Sequence, residues 1–170
     1  LLLFLHPQCP CSRATLVELE KILESTTALT NAPPRTLVVA SVPRNAGNRW
    51  TDSPLNKRAG QLPNADLYVD VDGIETDRFG VTTSGMVMLF APQGKRTFSG
   101  GITISRGHEG RSVGGELLQE RLCRDLDNQT DTYADFDVSS PPVFGCALCT
   151  PKSASETDGT AARCGEAEQW

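Results

Sequence analysis

This sequence of 170 residues has no excess of basic residues, because it contains 16 Lys and Arg but 21 Asp and Glu. The acidic surplus is concentrated in residues 127–170, where Lys152 and Arg163 accompany eight acidic residues. A protein that binds nucleic acid needs Lys and Arg to neutralise the phosphates. Because no basic stripe is present, nucleic acid is not an expected partner.

Long apolar runs are missing as well. The chain opens with the five apolar residues Leu1–Leu5, whereas a helix that spans a bilayer needs about 20. The chain does not begin with Met, so we expect a fragment or a processed form. A signal peptide or membrane anchor upstream of Leu1 stays open.

Cysteine is abundant for a chain of this size. The six cysteines comprise a Cys-x-Cys pair, a Cys-x-x-Cys pair and two single residues: Cys9 and Cys11, Cys146 and Cys149, Cys123 and Cys164. A structural disulfide framework spreads its cysteines through loops, whereas close pairs indicate redox or metal chemistry. The cysteine content also favours an extracytoplasmic or periplasmic location.

Apolar runs and helical periodicity predict an α/β fold, with a mixed central sheet flanked by helices. The predicted strands are Leu1–Leu5, Leu37–Val42, Leu67–Val71, Met86–Phe90 and Arg96–Phe98. The predicted helices are Ser12–Leu23, Leu55–Ala59, Ile74–Phe79 and Val113–Leu126. The first strand is apolar throughout, so we expect it in the centre of the sheet, parallel to the second strand and antiparallel to the fourth.

The chain divides into one domain and an extension. Residues 1–126 are predicted to form the domain, and residues 127–170 an acidic, irregular extension. Within that extension, residues 142–149 form an apolar island that we expect to dock on the domain through Phe144 and Leu148. Residues 150–170 have the composition of a flexible tail.

The first cysteine pair lies between the first predicted strand and the first predicted helix. The segment Cys9-Pro10-Cys11-Ser12-Arg13-Ala14-Thr15-Leu16-Val17-Glu18-Leu19 resembles, in register, the Trp-Cys-x-x-Cys-Arg-Ala-x-Leu-x-Glu-Leu segment of the thioredoxin superfamily, especially of its periplasmic thioredoxin-like branch. A second block, Asp70-Val71-Asp72, Phe79-Gly80-Val81 and Met86–Phe90 with Gly94-Lys95, is similar to the family's segment from helix to hairpin. The resemblance covers roughly residues 1–126. It implies a thioredoxin-like fold and thiol–disulfide oxidoreductase activity.

Three positions depart from the family pattern. Cys9 takes the place of the nucleophile, but Ser12 stands where the resolving cysteine is expected. Cys11 is an additional thiol between these two positions. Gly85 corresponds to the cis-proline that precedes the hairpin strand in the family.

Cys9 is the predicted attacking thiol. At the N-terminal end of a helix, unpaired N–H groups and the positive end of the helix dipole lower the pKa of a thiol from its ordinary value of about 8.5. Arg13 adds a cation one turn along. The polar, proline-rich surroundings predict an exposed Cys9, and the alternative is a buried, inert cysteine. Cys123, on the closing helix, is expected to be a small core residue.

The disulfide partner of Cys9 stays open between two thiols. Cys11 is favoured as the first partner because two residues of separation fit the disulfide distance, although the ring is strained. Cys146 is the alternative partner if the apolar island docks, and a Cys146–Cys149 disulfide is equally compatible with the sequence. Ser12 either donates a hydrogen bond to the thiolate or caps the helix.

The loop after the hairpin is expected to form one wall of the site, because the returning strand ends on the cysteine side of the sheet. The predicted substrate groove contains seven residues: His6, Ser84, Gly85, Gly100, Gly101, Arg106 and His108. Gly100 and Gly101 would let a substrate backbone approach closely, while Arg106 and His108 would stabilise a thiolate or move protons. The alternatives are a solvated glycine-rich loop and, for His6, a residue that only ends the strand.

Three functions stay open. The favoured one is a thiol–disulfide oxidoreductase that needs no cofactor and acts on protein thiols or disulfides. A Cu(I) or zinc carrier would use soft thiolate ligands, with Cys9, Cys11, His108 and Cys146 as the candidate set. A thioredoxin-fold binding module without turnover would agree with Ser12 and Gly85 in place of the family's residues.

Overall fold

The computed structural model describes residues 1–31, 34–126 and 140–151. Its five strands are β1 (Leu2–Leu5), β2 (Thr36–Val42), β3 (Ala65–Val71), β4 (Val87–Phe90) and β5 (Arg96–Gly100). Its helices are α1 (Pro10–Thr30), α2 (Asn48–Thr51), α3 (Pro54–Ala59), α4 (Ile74–Arg78) and α5 (Val113–Leu126). The fold is a mixed α/β arrangement around one sheet.

The sheet has the strand order β3-β2-β1-β4-β5. β1 pairs in parallel with β2, for example Leu3 with Val38, and antiparallel with β4, where Leu3 faces Val87. These pairings confirm the predicted central position of the first strand and the mixed sheet. Other parts of the chain pack against both faces of β1, so a strand without polar residues is stable at this position.

Side chains from the two faces of β1 enter two separate apolar clusters. Leu3 and Leu5 point to the cluster that contains Leu16 and Leu19 of α1 and Leu118 of α5. Phe4 points the other way, into a smaller cluster with Val39, Val81, Met88 and Leu148. The second cluster is therefore completed by Leu148, which is distant from β1 in sequence.

Helix α1 is longer at both ends than the periodicity predicts. It begins at Pro10, whose missing N–H costs nothing in the first turn, and it ends at Thr30, followed by the C-cap residue Asn31 in the left-handed conformation at φ 57°. The buried side of the helix continues past Leu23 to Thr26. The prediction stopped at Leu23 because it counted only apolar residues.

Two further outcomes concern the domain as a whole. Cys123 is half-buried, so its predicted place in the core is wrong, because α5 turns Leu118 and Leu122 to the sheet instead. No helix within the described residues is long and apolar enough to cross a membrane.

Candidate active site

Cys9 lies where the buried central strand passes into α1. It is the N-cap residue, with an extended backbone at φ −83° and ψ 120°. Its N–H donates to the carbonyl of His6 at 3.0 Å, and its carbonyl accepts the N–H of Ser12 at 3.1 Å. The side chain therefore projects beside the first turn of α1, where backbone N–H groups lack helical partners.

Two other thiols and a guanidinium surround this side chain. Cys9 and Cys146 are joined by a side-chain hydrogen bond. Arg106 bonds to the sulfurs of Cys11 and Cys146 and donates to the carbonyl of Gly145 at 3.3 Å. The site thus combines residues from α1, from the loop after β5 and from the described segment 140–151.

The three thiols have different proton affinities. Burial alone would raise the pKa of Cys9, but hydrogen bonds from the Cys146 side chain, from backbone N–H groups and from the Ser12 hydroxyl lower it below the ordinary value. Burial, with the adjacent Cys9, raises the pKa of Cys146 to about 12. Burial and the charge on Cys9 also raise the pKa of Cys11, against the effect of Arg106. Cys9 is therefore the thiol of the cluster that ionises most readily, and the Cys146 thiol donates a hydrogen bond to its sulfur.

A chain of buried hydroxyls ends on the same sulfur. The backbone N–H of His6 donates to Ser84 Oγ at 3.2 Å, and Ser84 Oγ bonds to Ser12 Oγ. Because the Ser12 hydroxyl donates its one proton to the Cys9 sulfur, it accepts in its bond with Ser84, and the Ser84 hydroxyl is the donor. Ser12 is not the helix cap, because Cys9 occupies that position.

His6 contributes its backbone N–H to the site. Its imidazole is fully buried, lies 5.0 Å from the Trp50 ring between centroids, and accepts the N–H of Gln8 on Nδ1 at 3.1 Å. Sequence reasoning missed Trp50, because this residue belongs to the short helix α2 in a region without apolar periodicity.

Residues 140–151, which we call the strap, cross the site in an extended conformation. Ser84 N–H donates to the Cys146 carbonyl at 2.9 Å, and Leu148 N–H donates to the Thr82 carbonyl at 3.0 Å. Thr83 and Ala147 form an antiparallel bridge between these bonds. The strap therefore pairs with the loop before β4 through an isolated antiparallel bridge.

The strap also fills the groove that the sequence predicted for a substrate. Gly101 N–H donates to the carbonyl of Pro141 at 3.1 Å, and Gly100 lies against the same proline. Gly85 adopts φ +91°, which favours glycine, and a Cβ there would lie 3.6 Å from the Phe144 carbonyl. The glycines of the predicted substrate groove are therefore in contact with the backbone of the strap.

The prediction that Cys9 is exposed is wrong. Cys9 has no exposed surface, and Cys11 is 5% exposed. The polar residues around the two cysteines predicted a solvated segment. The strap, which is distant in sequence, covers that segment.

Other predicted residues have different roles from those expected. Arg13 is exposed, and the cation that bonds to the thiols is Arg106. His108 is exposed, and its Nδ1 bonds to the Arg106 carbonyl at 2.8 Å in a tight turn. Cys149 is fully buried and disulfide-bonded, while Cys146 is a free thiol, so the proposed Cys146–Cys149 disulfide is wrong.

The four candidate metal ligands, Cys9, Cys11, His108 and Cys146, do not all come together. Within residues 1–31, 34–126 and 140–151, no group of three or more His, Cys, Asp or Glu side chains is placed to hold a metal ion. Cys9, Cys11 and Cys146 adjoin one another, but His108 bonds elsewhere, and Arg106 brings a positive charge where a metal cation would have to bind.

Comparisons with known proteins add a likeness of fold. No family model matches the chain, and no curated protein matches it. A hypothetical protein from Sinorhizobium meliloti has a similar structure, with a TM-score of 0.60 at 15% identity, covering 86% of this chain and 76% of that one. An uncharacterized conserved protein from Geobacillus kaustophilus is similar at a TM-score of 0.62 and 14% identity, covering 91% of this chain and 77% of the other. At such identities the likeness concerns the fold alone.

Proposed function

We propose that this protein is a thiol–disulfide oxidoreductase of thioredoxin-like fold, in which Cys9 attacks and Cys146 resolves. The observation that carries the proposal is the bonded pair of free thiols, in which Cys9 has a lowered pKa and Cys146 a raised one. A thiolate beside a second free thiol is the arrangement that thiol–disulfide exchange requires.

The proposed reaction has two exchange steps. The Cys9 thiolate attacks one sulfur of a substrate disulfide, forms a mixed disulfide and releases the other substrate sulfur as a thiolate. That thiolate takes up a proton, and Cys146 loses one to solvent. The Cys146 thiolate then attacks the Cys9 sulfur, which forms the Cys9–Cys146 disulfide and releases the second substrate thiolate. The substrate gains two electrons and the protein dithiol loses two; a dithiol reductant restores the starting state, and the sequence also runs in reverse.

Cys146 is a better resolving residue than Cys11, which the sequence favoured. Cys9 is the N-cap and Cys11 is the second residue of α1. Side chains two positions apart on a helix do not face each other, so a Cys9–Cys11 disulfide would distort the first turn. Cys146 comes from an extended segment and already bonds to Cys9.

The fold supports the same proposal. The cysteine segment begins a helix directly after the central strand, and a β-hairpin with a closing helix completes the sheet. These are the elements that the resemblance to the thioredoxin superfamily implies. The disulfide of Cys149 supports a location outside the reducing cytoplasm, where protein thiols or disulfides would be the partners.

Single substitutions test the assignment of the two thiols. Cys9→Ser should abolish reduction of a small aromatic disulfide, and Cys146→Ser should leave the first attack intact but accumulate the mixed disulfide on Cys9, seen by mass spectrometry. Cys123→Ser is the matched control and should keep the full rate. Peptide mapping of the oxidised protein should show a Cys9–Cys146 link. Undiminished activity of Cys9→Ser, or a reduced protein that exchanges with no disulfide, would refute the enzyme proposal.

A further inference from the structure

The strap contacts the domain in the way that a bound peptide contacts a sheet edge. Its hydrogen bonds to Ser84 and Thr82 join backbone to backbone, and so does the bond from Gly101 to Pro141. Backbone pairing of this kind provides affinity without depending on the side chains of the added strand. An extended segment of another polypeptide can make the same bonds.

One position of the strap admits only glycine. A Cβ on Gly145 would lie 1.9 Å from the carbonyl oxygen of Ser84, a distance at which one of the two backbones must move. The Gly145 carbonyl accepts a bond from Arg106. The residue before the cysteine that reaches Cys9 must therefore be glycine for this close approach to form.

A second position of the strap selects an apolar side chain. Leu148, two residues after Cys146, is 2% exposed and packs among Phe4, Val39, Val81 and Met88. Removing a leucine side chain from water stabilises the docked strap. The strap thus presents the pattern Gly-Cys-x-Leu to a site that holds the glycine closely, places the cysteine on Cys9 and buries the leucine.

We propose that the surface beneath the strap is the substrate-binding surface, that it takes an extended polypeptide with the pattern Gly-Cys-x-apolar, and that the strap competes with such a substrate for it. The inference rests on the proposed exchange reaction. Cys9 has no exposed surface while the strap is docked, so a disulfide reaches Cys9 only after the strap leaves. Return of the strap displaces the bound segment and brings Cys146 back to the mixed disulfide.

Two alanine variants test the competition. Gly145→Ala places a methyl group against Ser84 and should loosen the strap, whereas Gly47→Ala has the same chemistry at a position with open space around it. In Gly145→Ala, alkylation of Cys9 by iodoacetamide should speed up roughly tenfold, which corresponds to a loss of about 1.4 kcal/mol in docking. Gly47→Ala should react like the wild type. If Gly145→Ala does not fold, Leu148→Ala serves as the second loosened variant, with the same expectation.

A synthetic peptide tests the recognition pattern. The probe is residues 140–151 with Cys149→Ser, carrying an aromatic thiol as a mixed disulfide on its Cys146. It should react faster with Gly145→Ala protein than with the wild type, and faster than the same peptide with Gly145→Ala. Equal rates for both peptides on all proteins, with the small aromatic disulfide still reduced, would overturn this inference and leave the proposed function standing. Failure of the loosened variants to attack even the small disulfide would overturn the proposed function itself.

Discussion

The thiolate of Cys9 depends on groups that are distant from it in sequence. Ser12 is close along the chain, but its orientation depends on Ser84, which accepts the His6 N–H and is 72 residues away from Ser12. The sequence indicated Cys9 and left Ser12 open between two roles. It could not decide between them, because the partner of Ser12 is a single serine in a loop without periodicity.

Ser12→Ala should therefore raise the pKa of Cys9, since a hydrogen bond to the charged form is lost. Ser84→Ala should shift the pKa in the same direction by less, because it acts through Ser12. Both shifts are measured as the pH dependence of Cys9 alkylation in the full chain. Ser25→Ala, on the same helix and bonded to the Ile22 carbonyl, is the control. Superimposable profiles for Ser12→Ala and the wild type would remove the hydroxyl chain from the account of this thiolate.

Strands were easier to predict than the short helices and the strap. Apolar runs mark β1, β2 and β4 because these strands are buried. The four residues of α2 have no buried side chain and so leave no pattern in the sequence. Residues 142–149 were recognisable as an apolar segment. Their antiparallel pairing with Thr83 was not predictable, because it is formed by backbone atoms and leaves no pattern of hydrophobic residues.

Two leucines in different elements should differ in what they contribute to stability. Leu16 of α1 is fully buried in the main cluster, so Leu16→Ala should lower the free energy of unfolding by about 2–5 kcal/mol. Leu148→Ala should lower it by less, because the strap can open locally while the rest of the domain stays folded. Urea denaturation followed by circular dichroism compares the two. A loss from Leu148→Ala as large as that from Leu16→Ala would mean that the strap and the domain unfold as one unit.

At the scale of the whole molecule, the strap joins proton binding to stability. Cys146 has its pKa raised to about 12, so its contribution is complete below the unfolded thiol value of about 8.5 and is lost as the pH rises toward 12. Cys9 has its pKa lowered, so its contribution is present above the unfolded value and is lost as the pH falls through the folded one. The loss at Cys9 sets the acid limit, and the loss at Cys146 the alkaline limit, of the pH range in which the docked thiol pair stabilises the fold.

The alkaline side of this range is the simpler one to measure. Between about pH 8.5 and 10 the free energy of unfolding of the wild type should fall more steeply than that of Cys146→Ser, which cannot ionise at this position. Urea midpoints at each pH provide the comparison, with Cys123→Ser as the thiol control. Parallel slopes for wild type and Cys146→Ser would show that the Cys146 proton is not linked to folding.

Thirteen residues of chain, 127–139, join the end of α5 to the strap. A covalent connection of that length makes return of the strap an intramolecular event, for which effective concentrations reach the millimolar range. A free peptide at micromolar concentration therefore competes at a large disadvantage, and substrates that bind weakly are excluded by concentration alone. Resolution by Cys146 is first order, so its rate should not change when the protein is diluted, whereas the attack of Cys9 on substrate slows in proportion.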